Sequence, residues 1–197
     1  MLYQIYGAER TGTNLLKYFL PSSLSNEVQW KHGHPLTSKD YVARAGRRYG
    51  VVADAAIVMI KDPYSWYDSI QRWRARTTGN FNPYVEFTRF NLLYYAHIQL
   101  LEGADIYKPT FQEAHFIRYE DLLMQPDEEM EKVGVKLEKG WVMPERLDQS
   151  GNSWDREREK MYRKGFPYGL SKDVIKLVTE LTDWNVARYY GYDYRSL

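Results

Sequence analysis

The sequence contains no cysteine, and this absence removes several kinds of chemistry at once. Disulfide bonds, thiolate metal sites and cysteine nucleophiles are all excluded. No apolar run approaches the ~18 residues of a membrane span, and strand-like residues follow Met1 almost at once, so we expect no signal peptide and a cytoplasmic protein. The net charge is only +1, which gives no indication of nucleic acid or an anionic membrane as a partner.

The residues that are present are those of an ordinary globular chain. Of 197 residues, 44% are hydrophobic and 27% are charged, which predicts a single domain over residues 1–197. Strand-like and helix-like segments alternate, which is typical of an α/β fold with a central parallel sheet flanked by helices. The predicted strands cover 2–6, 28–30, 55–60 and 114–118. The predicted helices cover 14–20, 38–49, 63–76 and 83–103, with a last helix capped by Ser171.

The first strand leads into a loop that carries most of the functional information. Gly7 and Gly12 have the spacing of the Walker loop G-x-x-x-x-G-K-[ST], but Thr13 stands in place of the lysine and Asn14 in place of the magnesium-binding hydroxyl. A P-loop-like strand–loop–helix of this kind directs backbone N–H groups at one anion. It predicts a phosphate site that suits a Mg-nucleotide triphosphate poorly. Taken alone, the two glycines are equally compatible with a simple tight turn.

Two later segments carry cations that suit a second anion. Lys61 follows the apolar run 55–60, and Ser69 lies about two turns into the helix that Pro63 begins, on the same face as Ser65. Further on, a short segment places two cations beside a glycine, in Arg163, Lys164 and Gly165. Each feature alone is more often a solvated charge or a surface serine, so the hypothesis depends on their combination.

In combination these segments resemble the family of sulfotransferases that use 3′-phosphoadenosine-5′-phosphosulfate (PAPS). The resemblance implies that the loop binds the 5′-phosphosulfate through Arg10, Thr11, Gly12, Thr13 and Asn14. It implies that Lys61 and Ser69 bind the 3′-phosphate, and that Arg163, Lys164 and Gly165 close over it. The segment 116–123 is similar to a family strand that carries Tyr-Glu-Asp-Leu, which places Tyr119 near the adenine.

Some positions depart from the family pattern. Arg10 replaces a lysine that many relatives have, Lys61 replaces an arginine, and Leu15 replaces an aromatic residue that stacks on adenine in cytosolic members. The stretch between the first helix and the next strand is also short, so part of the usual acceptor pocket is missing or rebuilt.

The catalytic residues implied by the resemblance are Arg10 and a histidine. Arg10 and the loop amides would stabilise charge on the leaving 3′-phosphoadenosine-5′-phosphate (PAP), without a metal ion. The acceptor hydroxyl needs a base, and the family often has a histidine within Lys-x-His-x-Pro. Here histidines flank that position; His34 is slightly favoured over His32, with Glu9 as the next candidate. His97 and His115 fall within helix and strand patterns and are expected to be structural.

The sequence is compatible with more than one class of acceptor. Aromatic and arginine residues of the helix 63–76 suit a carbohydrate, but an ordinary amphipathic helix or another hydroxyl or amine acceptor fits the same pattern. The residues concerned are Trp66, Tyr67, Arg72, Trp73, Arg74 and Arg76. Two other functions are compatible with the chain: binding of a phosphoadenosine nucleotide without turnover, and a P-loop nucleotide kinase, which the missing Walker lysine disfavours.

Overall fold

The protein is described by a computed structural model over residues 3–20, 54–103, 113–138, 146–147, 152–153 and 170–194. The predicted strand 28–30, the predicted helix 38–49, the histidine loop with His32 and His34, and the segment Arg163–Gly165 lie outside the described residues. They stay predictions.

Three parallel strands form the sheet that organises the described residues. They are β1 (Tyr3–Gly7), β2 (Ala55–Ile60) and β3 (Glu113–Arg118), in the order β1-β2-β3. Every residue of β2 is buried, because this central strand has a neighbour on each edge and helices over each face. A strand covered on both faces has a continuous apolar sequence, which is the pattern of residues 55–60.

Within the described residues, seven helices cover the two faces of the sheet, so the predicted α/β fold with a P-loop-like start is confirmed. They are α1 (Thr13–Phe19), α2 (Pro63–Thr77), α3 (Pro83–Leu101), α4 (Tyr119–Met124), α5 (Pro126–Glu131), α6 (Lys172–Leu181) and α7 (Trp184–Tyr189). Helices α1, α4 and α5 pack on the face that carries Ile5 and Ile57. Helices α2, α3, α6 and α7 pack on the face that carries Tyr6 and Val58. Two short antiparallel strands, β4 (Arg146–Leu147) and β5 (Asn152–Ser153), form a second sheet.

Helix starts follow the capping residues in the sequence. Asp62 Oδ1 accepts hydrogen bonds from two first-turn amides of α2 at 3.0 Å each, and Pro63 occupies the first helical position. Asn82 caps α3 in the same way, and Ser171 caps α6 as predicted. None of the helices in the described part of the chain combines the length and the apolar character needed to cross a membrane.

The strand predicted over 114–118 is confirmed at its end, because β3 ends at Arg118. Two other expectations about local structure were wrong. The resemblance placed Tyr-Glu-Asp-Leu on a strand, whereas Tyr119 is the first residue of α4. Glu120 and Asp121 then fall in the first turn of a helix, where acidic residues are favourable. The helix that Ser171 caps is also not the last, because α7 begins after Asp183, whose carboxylate accepts from the amides of Asn185 and Val186.

Candidate functional site

The carboxyl ends of the three strands bring the predicted site residues to one edge of the sheet. β1 ends at Gly7, β2 ends one residue before Lys61, and β3 ends one residue before Tyr119. The register pairs Gly7 with Met59 and Ile60 with Arg118, so the strands end at nearly the same level. In open α/β sheets this edge is where ligands bind.

The loop between β1 and α1 turns through two residues in left-handed conformations. Arg10 has a φ of 68° and Gly12 a φ of 96°. Gly7 is required by close packing, because a Cβ there would lie 2.6 Å from Thr11 Oγ1 and 2.9 Å from the Met59 carbonyl oxygen. Gly12 is the N-cap of α1 and has no side chain to cap its first turn. Alternating right- and left-handed residues before a helix N-terminus form an anion-binding concavity.

Thr11 forms hydrogen bonds within this loop. Its Oγ1 donates to the carbonyl oxygen of Ala8 at 2.8 Å, its amide donates to the same oxygen at 3.3 Å, and the residue is fully buried. The sequence resemblance gave Thr11 a donor role toward the ligand, whereas the structure directs both of its donors to Ala8. The predicted contacts of Thr13 and Asn14 with the ligand stay predictions.

Glu9 fastens the loop to two helices. The Trp66 indole Nε1 donates to the Glu9 carbonyl oxygen at 2.8 Å. Arg74 Nη2 donates to Glu9 Oε2 at 2.8 Å, while Arg74 Nε donates to Glu86 Oε1 at 2.8 Å. The chain on the N-terminal side of Arg10 is therefore held by α2 and, through Glu86, by α3. Glu9, the next candidate base in the sequence, has a structural partner here.

Lys61 and Tyr119 meet beside the loop. Lys61 is buried, and its Nζ lies 4.3 Å from the centroid of the Tyr119 ring, within the range of a cation–π contact. A Cβ on Gly12 would lie 2.8 Å from Tyr119 Cε2 and nearer still to Cδ2. The ring therefore packs directly on the loop backbone. Three segments that are distant in the sequence form one cluster.

The serines of α2 occupy the predicted face. Ser65 and Ser69 are both buried, one turn apart. Ser65 Oγ donates to Glu120 Oε1 at 3.2 Å, which engages this hydroxyl within the protein. A contact of Ser69 with a phosphate stays a prediction.

Glu120 is a site residue to which the sequence reasoning assigned no role. Its carboxylate accepts from the Asp62 amide and from Ser65 Oγ through Oε1, both at 3.2 Å, and from the Tyr192 hydroxyl through Oε2 at 2.7 Å. Burial raises the pKa of Glu120, and nearby Asp62 raises it further, while the Tyr192 hydrogen bond and the charge of Lys61 act in the opposite direction. In the sequence, only its position directly after Tyr119 indicates that Glu120 lies at the site.

Tyr94, on helix α3, forms hydrogen bonds with the backbone at the end of β2. Its hydroxyl accepts from the Lys61 amide at 2.6 Å and donates to the Lys61 carbonyl oxygen at 3.0 Å. Burial raises the pKa of Tyr94 well above its usual value, so this hydroxyl stays protonated and keeps its donor role. The backbone that carries Lys61 is thereby fixed.

The structure corrects the hypothesis of a carbohydrate cleft on α2. Trp66 and Tyr67 are buried in the core, with only 2% and 4% of their surface exposed. Arg74 pairs with two carboxylates, and Arg72 forms an ion pair with Asp68 on its own helix. These side chains stabilise the helix and its packing and do not line one open cleft.

Three other residues discussed from the sequence, Leu15, His97 and His115, make contacts within the protein. Leu15 is buried in the core beneath the sheet, so the position where relatives have a stacking aromatic contributes to packing here. His97 is fully buried within α3, and His115 lies 3.2 Å from Glu113 Oε2 on β3. The structural interpretation of both histidines agrees with these surroundings.

Comparison with known proteins gives a distant structural likeness. No family model matches the chain, and no curated protein matches it. Among solved structures, the chain is similar to the sulfotransferase domain from the Synechococcus PCC 7002 olefin synthase, with 15% sequence identity and a TM-score of 0.45. The likeness covers 92% of this chain and 64% of that one, so the chain spans less than two thirds of that domain's length. A likeness at this level says nothing about the donor or the acceptor.

Proposed function

We propose that this protein is a sulfotransferase, which transfers a sulfuryl group from PAPS to a hydroxyl or amine acceptor and releases PAP. The observation that carries the proposal is the cluster at the sheet edge: the left-handed loop at Gly12, the Tyr119 ring packed on it, and the buried ammonium of Lys61 over that ring. A loop for one anion beside a buried cation and an aromatic face suits a nucleotide with phosphates at both ends.

Each part of the donor has a matching part of the site. The loop 8–14 would receive the 5′-phosphosulfate, Lys61 and Ser69 the 3′-phosphate, and Tyr119 the adenine. Lys61 is buried at the end of β2, beside the loop, and its ammonium charge would attract a phosphate placed there. The segment Arg163–Gly165, which the resemblance assigns to the same phosphate, would add two cations.

The transfer step needs a nucleophile, a leaving group and a base. The acceptor oxygen or nitrogen forms a bond to sulfur while the bond from sulfur to the bridging oxygen of the 5′-phosphate breaks, and that electron pair stays on the phosphate oxygen of PAP. Arg10 and the loop amides of residues 12–14 stabilise this developing charge. The proton of the acceptor passes to a histidine, His34 or His32.

A nucleotide-binding assay tests the proposal against the kinase alternative. Thr13 stands in place of the Walker lysine, so we expect PAP to raise the melting temperature with or without EDTA. At a hundred-fold excess over Kd the stabilisation is about 2.7 kcal/mol. ATP with magnesium should give no comparable shift. A shift with ATP that depends on magnesium, with none from PAP, would favour the kinase.

Turnover separates the enzyme from a protein that only binds the nucleotide. We expect His34→Ala to lower turnover by about 10²–10⁴-fold, the usual contribution of a general base, with PAP binding retained. His32→Ala should have the smaller effect. Both rates are measured as PAP formed from PAPS. PAP binding in a wild-type protein that transfers no sulfuryl group to any acceptor would favour the non-catalytic alternative.

A further inference from the structure

The turn that follows helix α7 has a defined backbone conformation. Gly191 has a φ of 82°, a left-handed conformation that is usual for glycine just after a helix. The Gly191 amide donates to the Arg188 carbonyl oxygen at 2.9 Å, and the Tyr192 amide donates to the Ala187 carbonyl oxygen at 3.1 Å. This pair of hydrogen bonds is a Schellman motif, and it fixes where the side chain of Tyr192 leaves the helix.

Tyr192 reaches the proposed donor site through Glu120. Its hydroxyl donates to Glu120 Oε2 at 2.7 Å, and the other carboxylate oxygen accepts from the Asp62 amide at 3.2 Å. Asp62 caps α2, the helix that carries Ser69. Two hydrogen bonds therefore connect Tyr192 to the backbone between Lys61 and Ser69, the residues assigned to the 3′-phosphate.

A second tyrosine of the same turn holds the same backbone. The Tyr190 hydroxyl donates to the Tyr94 carbonyl oxygen at 2.9 Å, and the two rings meet edge to face with centroids 5.3 Å apart. The Tyr94 hydroxyl forms hydrogen bonds with both the amide and the carbonyl oxygen of Lys61. The turn thus contacts the end of β2 by two routes, one through Tyr94 and one through Glu120.

Tyr192 is fixed in this position by its surroundings. Its side chain is buried, and the Arg118 guanidinium lies 5.8 Å from the centroid of its ring. A Cβ on Gly191 would lie 3.1 Å from Arg118 Nη1, so the turn packs closely on the end of β3. Burial raises the pKa of Tyr192 well above its usual value, so the hydroxyl stays protonated and remains a donor to Glu120.

We infer that Tyr192 is a positioning residue for the 3′-phosphate of the donor. Through Glu120 it fixes the backbone at Asp62, and so the spacing between the Lys61 ammonium and the Ser69 hydroxyl. The inference rests on the proposed function and adds to it a residue from a distant part of the chain. Tyr192 acts through Glu120 and is assigned no contact with the nucleotide.

The test compares two variants that each lose one phenol hydroxyl and keep the ring. Tyr192→Phe removes the donor to Glu120. Tyr194→Phe is the matched control, because this ring is half exposed and packs on Trp184 and Arg188. Isothermal titration calorimetry measures the affinity of the wild type and both variants for PAP and for adenosine-5′-phosphosulfate, which lacks the 3′-phosphate. Urea denaturation of each variant shows that it is folded at the temperature of the titration.

We expect Tyr192→Phe to bind PAP about three- to ten-fold more weakly than the wild type, since the net contribution of one hydrogen bond is of that order. It should bind adenosine-5′-phosphosulfate as the wild type does, and Tyr194→Phe should bind both nucleotides normally. Unchanged PAP affinity in Tyr192→Phe, or equal losses for the two nucleotides, would overturn the inference, because a purely structural hydroxyl affects both alike. Failure of the proposed function is seen separately, as a wild type that does not bind PAP.

Discussion

Two clusters next to the loop each contain one cation and two carboxylates, but the cation has different surroundings in each. In the first, Arg74 donates hydrogen bonds directly to Glu9 and Glu86. In the second, the two carboxylates are those of Asp62 and Glu120. Glu120 accepts from the Asp62 amide and from two hydroxyl groups, while the ammonium of Lys61 lies on the face of Tyr119 and acts on Glu120 through its charge. The planar guanidinium suits the first arrangement, since it has several N–H donors in a fixed geometry.

The comparison shows why the position of a basic residue decides its role. Arg74 joins the loop to α2 and α3, so we expect its loss to change stability. Lys61 lies at the carboxyl edge of the sheet beside the loop and an aromatic ring, so we expect its loss to change ligand binding. The variants below test that division, in order of decreasing expected effect.

The largest effect is expected where the second cluster contacts the loop. Gly12→Ala places a methyl group against the Tyr119 ring at a φ of 96°. The backbone strain costs about 1–3 kcal/mol and the overpacking about 1–3 kcal/mol more. Chemical denaturation should show the sum of these two costs as a loss in the free energy of unfolding, and PAP binding should be lost.

Gly79→Ala is the control for that variant. Gly79 also has a positive φ, 69°, but a Cβ there would meet no atom within 4 Å. We expect Gly79→Ala to lower the free energy of unfolding by about 1–2 kcal/mol, the usual cost of a non-glycine residue in the left-handed conformation, and to leave PAP binding unchanged. Equal losses in the two variants would show that contact with Tyr119 does not constrain the loop.

The next effect concerns the first cluster. Arg74→Ala leaves the carboxylates of Glu9 and Glu86 without their shared donor. Charge-assisted hydrogen bonds contribute about 1.5–3 kcal/mol each, and because Glu9 is 39% exposed we expect a total loss of about 2–3 kcal/mol in the free energy of unfolding.

Arg72→Ala is the matched control for Arg74→Ala. Arg72 lies on the same helix, is 46% exposed and pairs only with Asp68 among the ion pairs of the described residues. An exposed pair of this kind contributes less than about 0.5 kcal/mol. If both arginine variants lose the same stability in urea denaturation, the proposed anchoring of the loop by Arg74 is contradicted.

A smaller effect, dependent on pH, is expected from Glu120. Because its pKa in the folded protein lies above the usual value of 4.5, folding favours its protonated form. The stability from this group is complete below about pH 4.5 and is lost as pH rises through the raised pKa. Glu120→Gln cannot ionise, so the wild type should lose stability relative to this variant as pH increases above 4.5. A difference that changes in the opposite direction would contradict the assignment.

Much of the fold could be predicted from local sequence. Residues 55–60 form the strand as expected, because an uninterrupted apolar run fits a strand covered on both faces. Asn82 and Ser171 cap helices as expected, because capping depends on a few adjacent residues. The closeness of Lys61 and Tyr119 follows from the position of each at the end of a parallel strand.

The contacts that hold the site could not be predicted in this way. Arg74 lies 65 residues from Glu9, and Tyr192 lies 72 residues from Glu120. Such pairs depend on how whole helices pack and how far side chains reach, which no local pattern encodes. The same limit explains the carbohydrate hypothesis: the helical pattern of α2 does not reveal that Trp66 and Tyr67 face the core.

The central claim is that Lys61 and Ser69 bind the 3′-phosphate of the donor. The most direct test measures the affinity of Ser69→Ala for PAP and for adenosine-5′-phosphosulfate, which lacks that phosphate. Ser65→Ala is the control, since its hydroxyl, one turn earlier, is engaged with Glu120. We expect Ser69→Ala to bind PAP about ten-fold more weakly, a loss of about 1.4 kcal/mol, and to bind adenosine-5′-phosphosulfate as the wild type does. Equal losses for both nucleotides would contradict the claim.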